Sequence, residues 1–126
     1  MNLLLDTHVV LWALAAPQRL SARVQGLITD PRHTVAISAA TVWEVEIKRR
    51  LGKLRLPDGF ATECLDRGFD ELPIAFTHAE VAGRLPRHHD DPFDRMLIAQ
   101  AVVEGYDVVT ADATFHHYDV RVIDPA

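Results

Sequence analysis

Short, mainly apolar runs alternate with longer helical stretches along this chain: NLLLD at 2–6, TVAIS at 34–38, YDVVTAD at 106–112 and VRVID at 120–124. Such runs lack the strict apolar–polar alternation of a strand with one wet face, so both of their faces are expected to be covered. Strands of that kind, separated by helices, imply an α/β protein with a mostly parallel sheet flanked by helices on both sides. In open sheets of this class ligands gather beyond the carboxyl ends of the strands. Asp6 closes the first run and Asp112 lies just past the VVT segment, so the two acids are expected to share one rim.

Helical periodicity places helices over residues 7–15, 21–30, 39–52, 59–69, 77–85 and 92–105, with ELPIAF at 71–76 as a further strand or edge. Ser21 is a suitable N-cap for the second helix, Gly52 stops the third, and Pro86 ends the fifth. Pro92 sits in the first turn of the last helix and Gly105 follows its end. No repeat, low-complexity tract or linker divides the chain, so residues 1–126 are read as one domain, long enough to bury a core.

The formal charge of −5 argues against a generic nucleic-acid coat while leaving room for a local basic patch. One cysteine, Cys64, cannot pair internally, which favours a reducing compartment such as the cytoplasm; on its amphipathic helix it reads as a small buried apolar residue. The apolar start has no basic residue before it and is interrupted by Asp6 and His8, unlike a secretory signal, and no stretch is long and apolar enough to span a bilayer.

Each acid has two readings. Asp6 is placed to cap the helix that follows it, and Asp112 to close an Asx-turn. Thr41 and Glu44 have capping-box spacing. Asp91 before Pro92 reads as an N-cap, with Asp94 in the first helical turn where the helix dipole favours it. Yet Glu44 lies between Trp43 and Val45, and Asp94 lies between Phe93 and the apolar MLIAQA, both near core-facing positions. Carboxylates converging there repel one another and lose hydration, a conflict that a divalent cation removes. An all-oxygen ligand set suits Mg²⁺ or Mn²⁺ rather than Zn²⁺.

Taken together, LLLDTHVVLW, ISAATVWEVEIK, HHDDPFDRMLIAQA and VVTADATF resemble the PIN-domain ribonucleases, in particular the VapC toxins of bacterial toxin–antitoxin pairs. The likeness runs in order from the first strand nearly to the end of the chain. It implies a three-layer PIN-like fold and a metal site formed by Asp6, Glu44, Asp94 and Asp112, with Thr110 supporting it and Asp91 as the adjacent cap. It further implies an Mg²⁺-dependent endoribonuclease, with Mn²⁺ able to substitute, that leaves 5′-phosphate and 3′-hydroxyl ends. Its expected partners are RNA, a VapB-type antitoxin and a second copy of the chain.

Other features are less directive. His88–His89 and His116–His117 are adjacent pairs, a poor match to the separated ligands zinc prefers; a phosphate-binding or positioning role for His89 stays open. Asp90 has no assigned role. Lys48, Arg49, Arg50, Lys53 and Arg55 form either a solvated helix end or a phosphate track toward the acids. Arg95 is a candidate to pair with a carboxylate or hold a scissile phosphate, and Trp12 and Trp43 read as core. The helices at 7–15 and around Trp43 carry more large apolar residues than one face of a small sheet needs, the mark of an interface.

Three other functions compete. A phosphatase that forms an aspartyl-phosphate would need a second acid near Asp6-Thr7-His8. A phospho-accepting receiver-like domain would need a lysine after a late strand, absent from VTADATF. A non-catalytic protein-binding module would use its acids only as caps.

Overall fold

A computed structural model describes all 126 residues. Five strands, β1 (Asn2–Leu5), β2 (Thr34–Ser38), β3 (Asp70–Leu72), β4 (Asp107–Val109) and β5 (Val122–Ile123), form one sheet in the order β3-β2-β1-β4-β5. Every pairing is parallel, so the expected mostly parallel sheet is wholly so. Side chains on successive strand residues point to opposite faces, and β1 feeds both cores in this way. Leu3 and Leu5 pack with Val9, Val10, Val35, Ile37 and Val45 on one face. Leu4 packs with Leu97, Ile98, Val108 and Phe115 on the other. Truncating the fully buried Leu4 to alanine would cost about 2–5 kcal/mol by the usual cavity penalty.

The first face is covered by α1 (Thr7–Ala15), α2 (Ala22–Thr29), α3 (Ala39–Arg50) and α4 (Phe60–Asp66). The second is covered by α6 (Pro92–Glu104), on which α5 (Phe76–Arg84) packs. Short 3₁₀ turns at Pro17–Arg19 and Ala113–His117 complete the chain, the second burying Phe115. No helix is long and apolar enough to cross a membrane.

Several elements are shorter than their sequence patterns suggest: β4 keeps three residues of YDVVTAD and β5 two of VRVID, and two others have a clear local cause. The fourth helix covers Phe60–Asp66 rather than 59–69, because the chain turns out at Gly68, whose φ of 84° lies in the left-handed region. The strand expected over 71–76 is Asp70–Leu72; Pro73 has no N–H to continue the ladder. The last helix keeps its expected bounds, with Asp91 as N-cap and Gly105 at φ 76° as C-cap.

The topology selects where a site can form. From β1 the chain proceeds to β2 and β3 on one side, then returns to β4 and β5 on the other. Connections after β1 and β4 therefore diverge, and a crevice opens beyond their carboxyl ends. Asp6 follows β1 directly, its N–H donating to the Val109 carbonyl of β4 at 3.1 Å. Thr110 and Asp112 follow β4.

Candidate active site

The crevice beyond β1 and β4 is a cleft of roughly 380 Å³ lined mainly by polar residues. Asp6, Glu44, Asp91, Asp94 and Asp112 all face it, with Thr7, His8, Trp12 and Lys48 on its walls. The four acids singled out in the sequence come from four separate elements: the end of β1, the middle of α3, the first turn of α6 and the exit from β4.

The strand-end acids both cap and face the cleft. Asp6 Oδ1 accepts from Val9 N at 2.9 Å, closing the first turn of α1. Its Oδ2 accepts from the Thr110 hydroxyl, whose own oxygen accepts from Asp112 N at 3.0 Å. Asp112 Oδ1 accepts from Thr114 N at 2.9 Å, and its Oδ2 lies 2.8 Å from His89 Nε2. Asp91 is the N-cap of α6, its Oδ1 accepting from Phe93 N at 2.8 Å and Asp94 N at 3.1 Å.

Glu44 and Asp94 cap nothing. The capping-box reading of Thr41 and Glu44 is overturned: the N-cap of α3 is Ser38, the last residue of β2, so Glu44 falls well inside the helix. Its carboxylate instead accepts from Thr7 Oγ1 at 2.6 Å and from Lys48 Nζ at 2.8 Å. Thr7 was not singled out in the sequence, where it reads simply as the first residue of a helix. Asp94 makes no backbone cap; its Oδ2 lies 3.0 Å from His89 Nε2.

Burial and mutual repulsion are visible in the acids' ionisation. Asp94 is pushed up to about 7, first by burial, then by the neighbouring Asp91, Glu44 and Asp6. Burial also raises Asp6, against the hydrogen bonds from Thr110 and Val9. Asp112 carries a burial penalty too, but hydrogen bonds from Thr114 and His89 outweigh it and its pKa is lowered.

Other expectations are corrected. Arg95 neither pairs with a carboxylate nor points at the cleft. Its guanidinium donates to the carbonyls of Ala82, Leu85, Pro86 and His89 at 2.8–3.1 Å, tying the end of α5 to the loop before α6. Of the basic cluster, only Lys48 reaches the cleft. Arg49 is spent on Glu46, Asp58 and the Leu56 carbonyl. Trp43 is not core: it is 63% exposed, its ring edge-on to Phe93 at 5.4 Å. Trp12, by contrast, is half-buried and packs against the first core, with the Arg19 guanidinium 4.5 Å from its ring centre. Cys64 is buried as its helix suggested.

The donor set suits a hard divalent cation. Carboxylate oxygens dominate the cleft, and Lys48 and His89 are the cationic or potentially cationic groups that touch the four acids. A bound cation would relieve the repulsion that raises Asp94.

Residues 3–121 match the family model described as PIN domain. Ribonuclease VapC22 of Mycobacterium tuberculosis is 33% identical over 115 residues, covering 88% of this chain and 87% of that protein. Ribonuclease VapC16 of the same organism is 36% identical over 62 residues, 48% of this chain and 44% of that protein. Among solved structures, VapBC2 from Rickettsia felis bound to a DNA fragment from its promoter superposes with a TM-score of 0.71 at 15% identity, covering 98% of both chains.

Proposed function

The chain belongs to the PIN-domain family, and we propose that it is a divalent-metal-dependent endoribonuclease, the toxin of a type II VapBC pair. One observation carries the reading: Glu44 and Asp94, the two helical acids, face the cleft with Asp6 and Asp112 yet cap no helix. Acids that serve only as caps have no reason to be there. This disfavours the protein-binding module, and the exit from β4 supplies no lysine for a receiver-like reading.

Asp6, Glu44, Asp94 and Asp112 would hold Mg²⁺, or Mn²⁺ in its place. The bound ion would supply an acidified water as nucleophile and stabilise charge on the phosphate and leaving oxygen. The chain's own residues set the geometry for that chemistry. Thr110 holds one oxygen of Asp6, and Thr7 holds one oxygen of Glu44. Lys48 sits on the cleft wall, with its ammonium on Glu44 and its side chain 38% exposed, and would meet an RNA phosphate from there. Cleavage would leave 5′-phosphate and 3′-hydroxyl ends.

A VapB-type antitoxin would lie over the cleft, presenting an apolar segment and a basic side chain to the carboxylates. Exposed Trp43 and Leu51 on and just after α3 supply apolar surface for that contact or for pairing with a second copy. A toxin of this class would act on RNA in the cytoplasm. Sequencing of RNA ends after expression of the wild type and of Asp6→Asn tests the proposal. New 5′-phosphate ends in the wild type alone are expected; identical end profiles would refute it.

A further inference from the structure

His89 turns a nitrogen to two of the cleft's acids, and its neighbours decide what that nitrogen can do. Nε2 lies 2.8 Å from Asp112 Oδ2 and 3.0 Å from Asp94 Oδ2. The three donor atoms fall within 4.8 Å of one another, the spacing of a three-ligand metal site. The other ring nitrogen argues against that use. Nδ1 is 3.1 Å from Asp91 N, in hydrogen-bond geometry. A backbone N–H can only donate, so Nδ1 must present its lone pair, and the ring hydrogen is then on Nε2. An Nε2 that carries hydrogen donates to carboxylates and has no lone pair left for a metal.

The ring is also held in place. Its edge meets Phe115 with centroids 5.9 Å apart and planes at 89°. The His89 N–H donates to Tyr118 Oη at 2.8 Å, and its carbonyl accepts from Arg95 Nη1 at 3.1 Å. Tyr118 Oη in turn donates to the Pro86 carbonyl at 2.7 Å. Arg95 and Tyr118 thus anchor the loop on which the imidazole stands. Its side chain is only 14% exposed.

We infer that His89 is a positioning residue: a fixed Nε2–H donor that holds the Asp112 carboxylate beside Asp94 and so preorganises the acids for the cation. The inference rests on the metal reading given above. Donors that orient metal-binding groups from outside the coordination sphere commonly contribute ~10–100-fold to metal affinity.

Two substitutions separate this role from simple loop anchoring. A glutamine amide nitrogen takes the place of Nε2 and restores the donor. An asparagine side-chain oxygen takes the place of Nδ1 and restores only the acceptor for Asp91 N–H. Mn²⁺ is titrated calorimetrically into wild type, His89→Gln, His89→Asn and His89→Ala, with metal-free melting confirming that each is folded. His89→Asn and His89→Ala should bind Mn²⁺ ~10–100-fold more weakly, and His89→Gln should stay within about threefold of wild type. Nitrogen-15 spectra of the metal-free wild type should show the His89 ring hydrogen on Nε2. Equal affinity in all four proteins, retention by His89→Asn with loss in His89→Gln, or a ring hydrogen on Nδ1 overturns the inference. A wild type that binds no Mn²⁺ overturns the metal reading itself.

Discussion

Thr110 donates its hydroxyl to the Oδ2 of Asp6 across 104 residues of sequence, so the acid that ends β1 is oriented from the end of β4. An aspartate used only as a cap would need one oxygen; Asp6 engages both. Thr110→Val keeps the shape and removes the donor, leaving a buried carboxylate oxygen without its partner. Loss of about 1–3 kcal/mol of stability is expected, together with weaker Mn²⁺ binding. Thr110→Ser should restore both. Denaturant unfolding and metal titration of the pair of variants check this, and a Thr110→Val protein matching wild type in both would contradict it.

Asp91 and Asp94 stand three residues apart with different work. Asp91 caps α6 through two backbone N–H groups, while Asp94 caps nothing, faces the cleft and meets His89 Nε2. Asp91→Asn should keep most stability and cleavage, since asparagine also caps. Asp91→Ala should lose about 1 kcal/mol, within the usual range for a cap. Asp94→Asn should abolish cleavage and leave circular dichroism unchanged. The opposite ranking of the two asparagine variants in a cleavage assay would reverse the assignments.

Asp94 also predicts a pH dependence of metal-free stability. Its folded pKa, pushed up to about 7, lies above the unfolded value of about 3.9. The folded state therefore binds more protons between these values. Asp94's contribution to stability is fully present below about pH 4 and is lost as pH rises through about 7. In chelator, wild type should lose stability relative to Asp94→Asn between pH 5 and pH 8 in urea unfolding. Parallel pH profiles for the two proteins would show that Asp94 ionises without strain.

Much of this arrangement was legible in the sequence because a parallel sheet sends its strand ends to one rim. Asp6 and Asp112 could be placed there from NLLLD and VVTAD alone. Glu44 was ambiguous because T-x-x-E spacing does not identify the N-cap; the β2–α3 junction puts that role on Ser38. Arg95 looked like a site residue beside Asp94, but adjacent helical positions point in different directions. Its guanidinium ends on carbonyls between Ala82 and His89, contacts that exist only once α5 packs on α6. The ring orientation of His89 depends on one backbone N–H, which no residue pattern encodes. Trp43 appeared to be core because tryptophan usually is, and α3 turns it outward.

The basic cluster divides by partner. Arg49 joins Glu46 and Asp58 and donates to Leu56 O, so Arg49→Gln should lower stability modestly and leave RNA affinity little changed. Lys48 is the member at the cleft, and Lys48→Gln should weaken RNA binding and flatten its salt dependence by roughly one phosphate contact. Filter binding over a salt series distinguishes the two. An unchanged slope for Lys48→Gln would remove it from the RNA path.

Mg²⁺ or Mn²⁺ should stabilise the native chain by mass action, by about 2.7 kcal/mol at a hundredfold excess over Kd. A melting midpoint that rises by several degrees in wild type and less in Asp94→Asn is expected from differential scanning calorimetry. Equal midpoints with and without the ions would leave the cleft with no measurable metal.

RNA cleavage by purified protein ties the acids, the cation and the activity together most directly. Wild type, Asp6→Asn and Asp94→Asn are incubated with end-labelled RNA in chelator, then with added Mg²⁺ or Mn²⁺. Cleavage to 5′-phosphate products by wild type only when the ion is present, with neither variant active, is the predicted result. Cleavage that persists in chelator, or that is equal in wild type and Asp94→Asn, would contradict a metal-dependent nuclease built on these carboxylates.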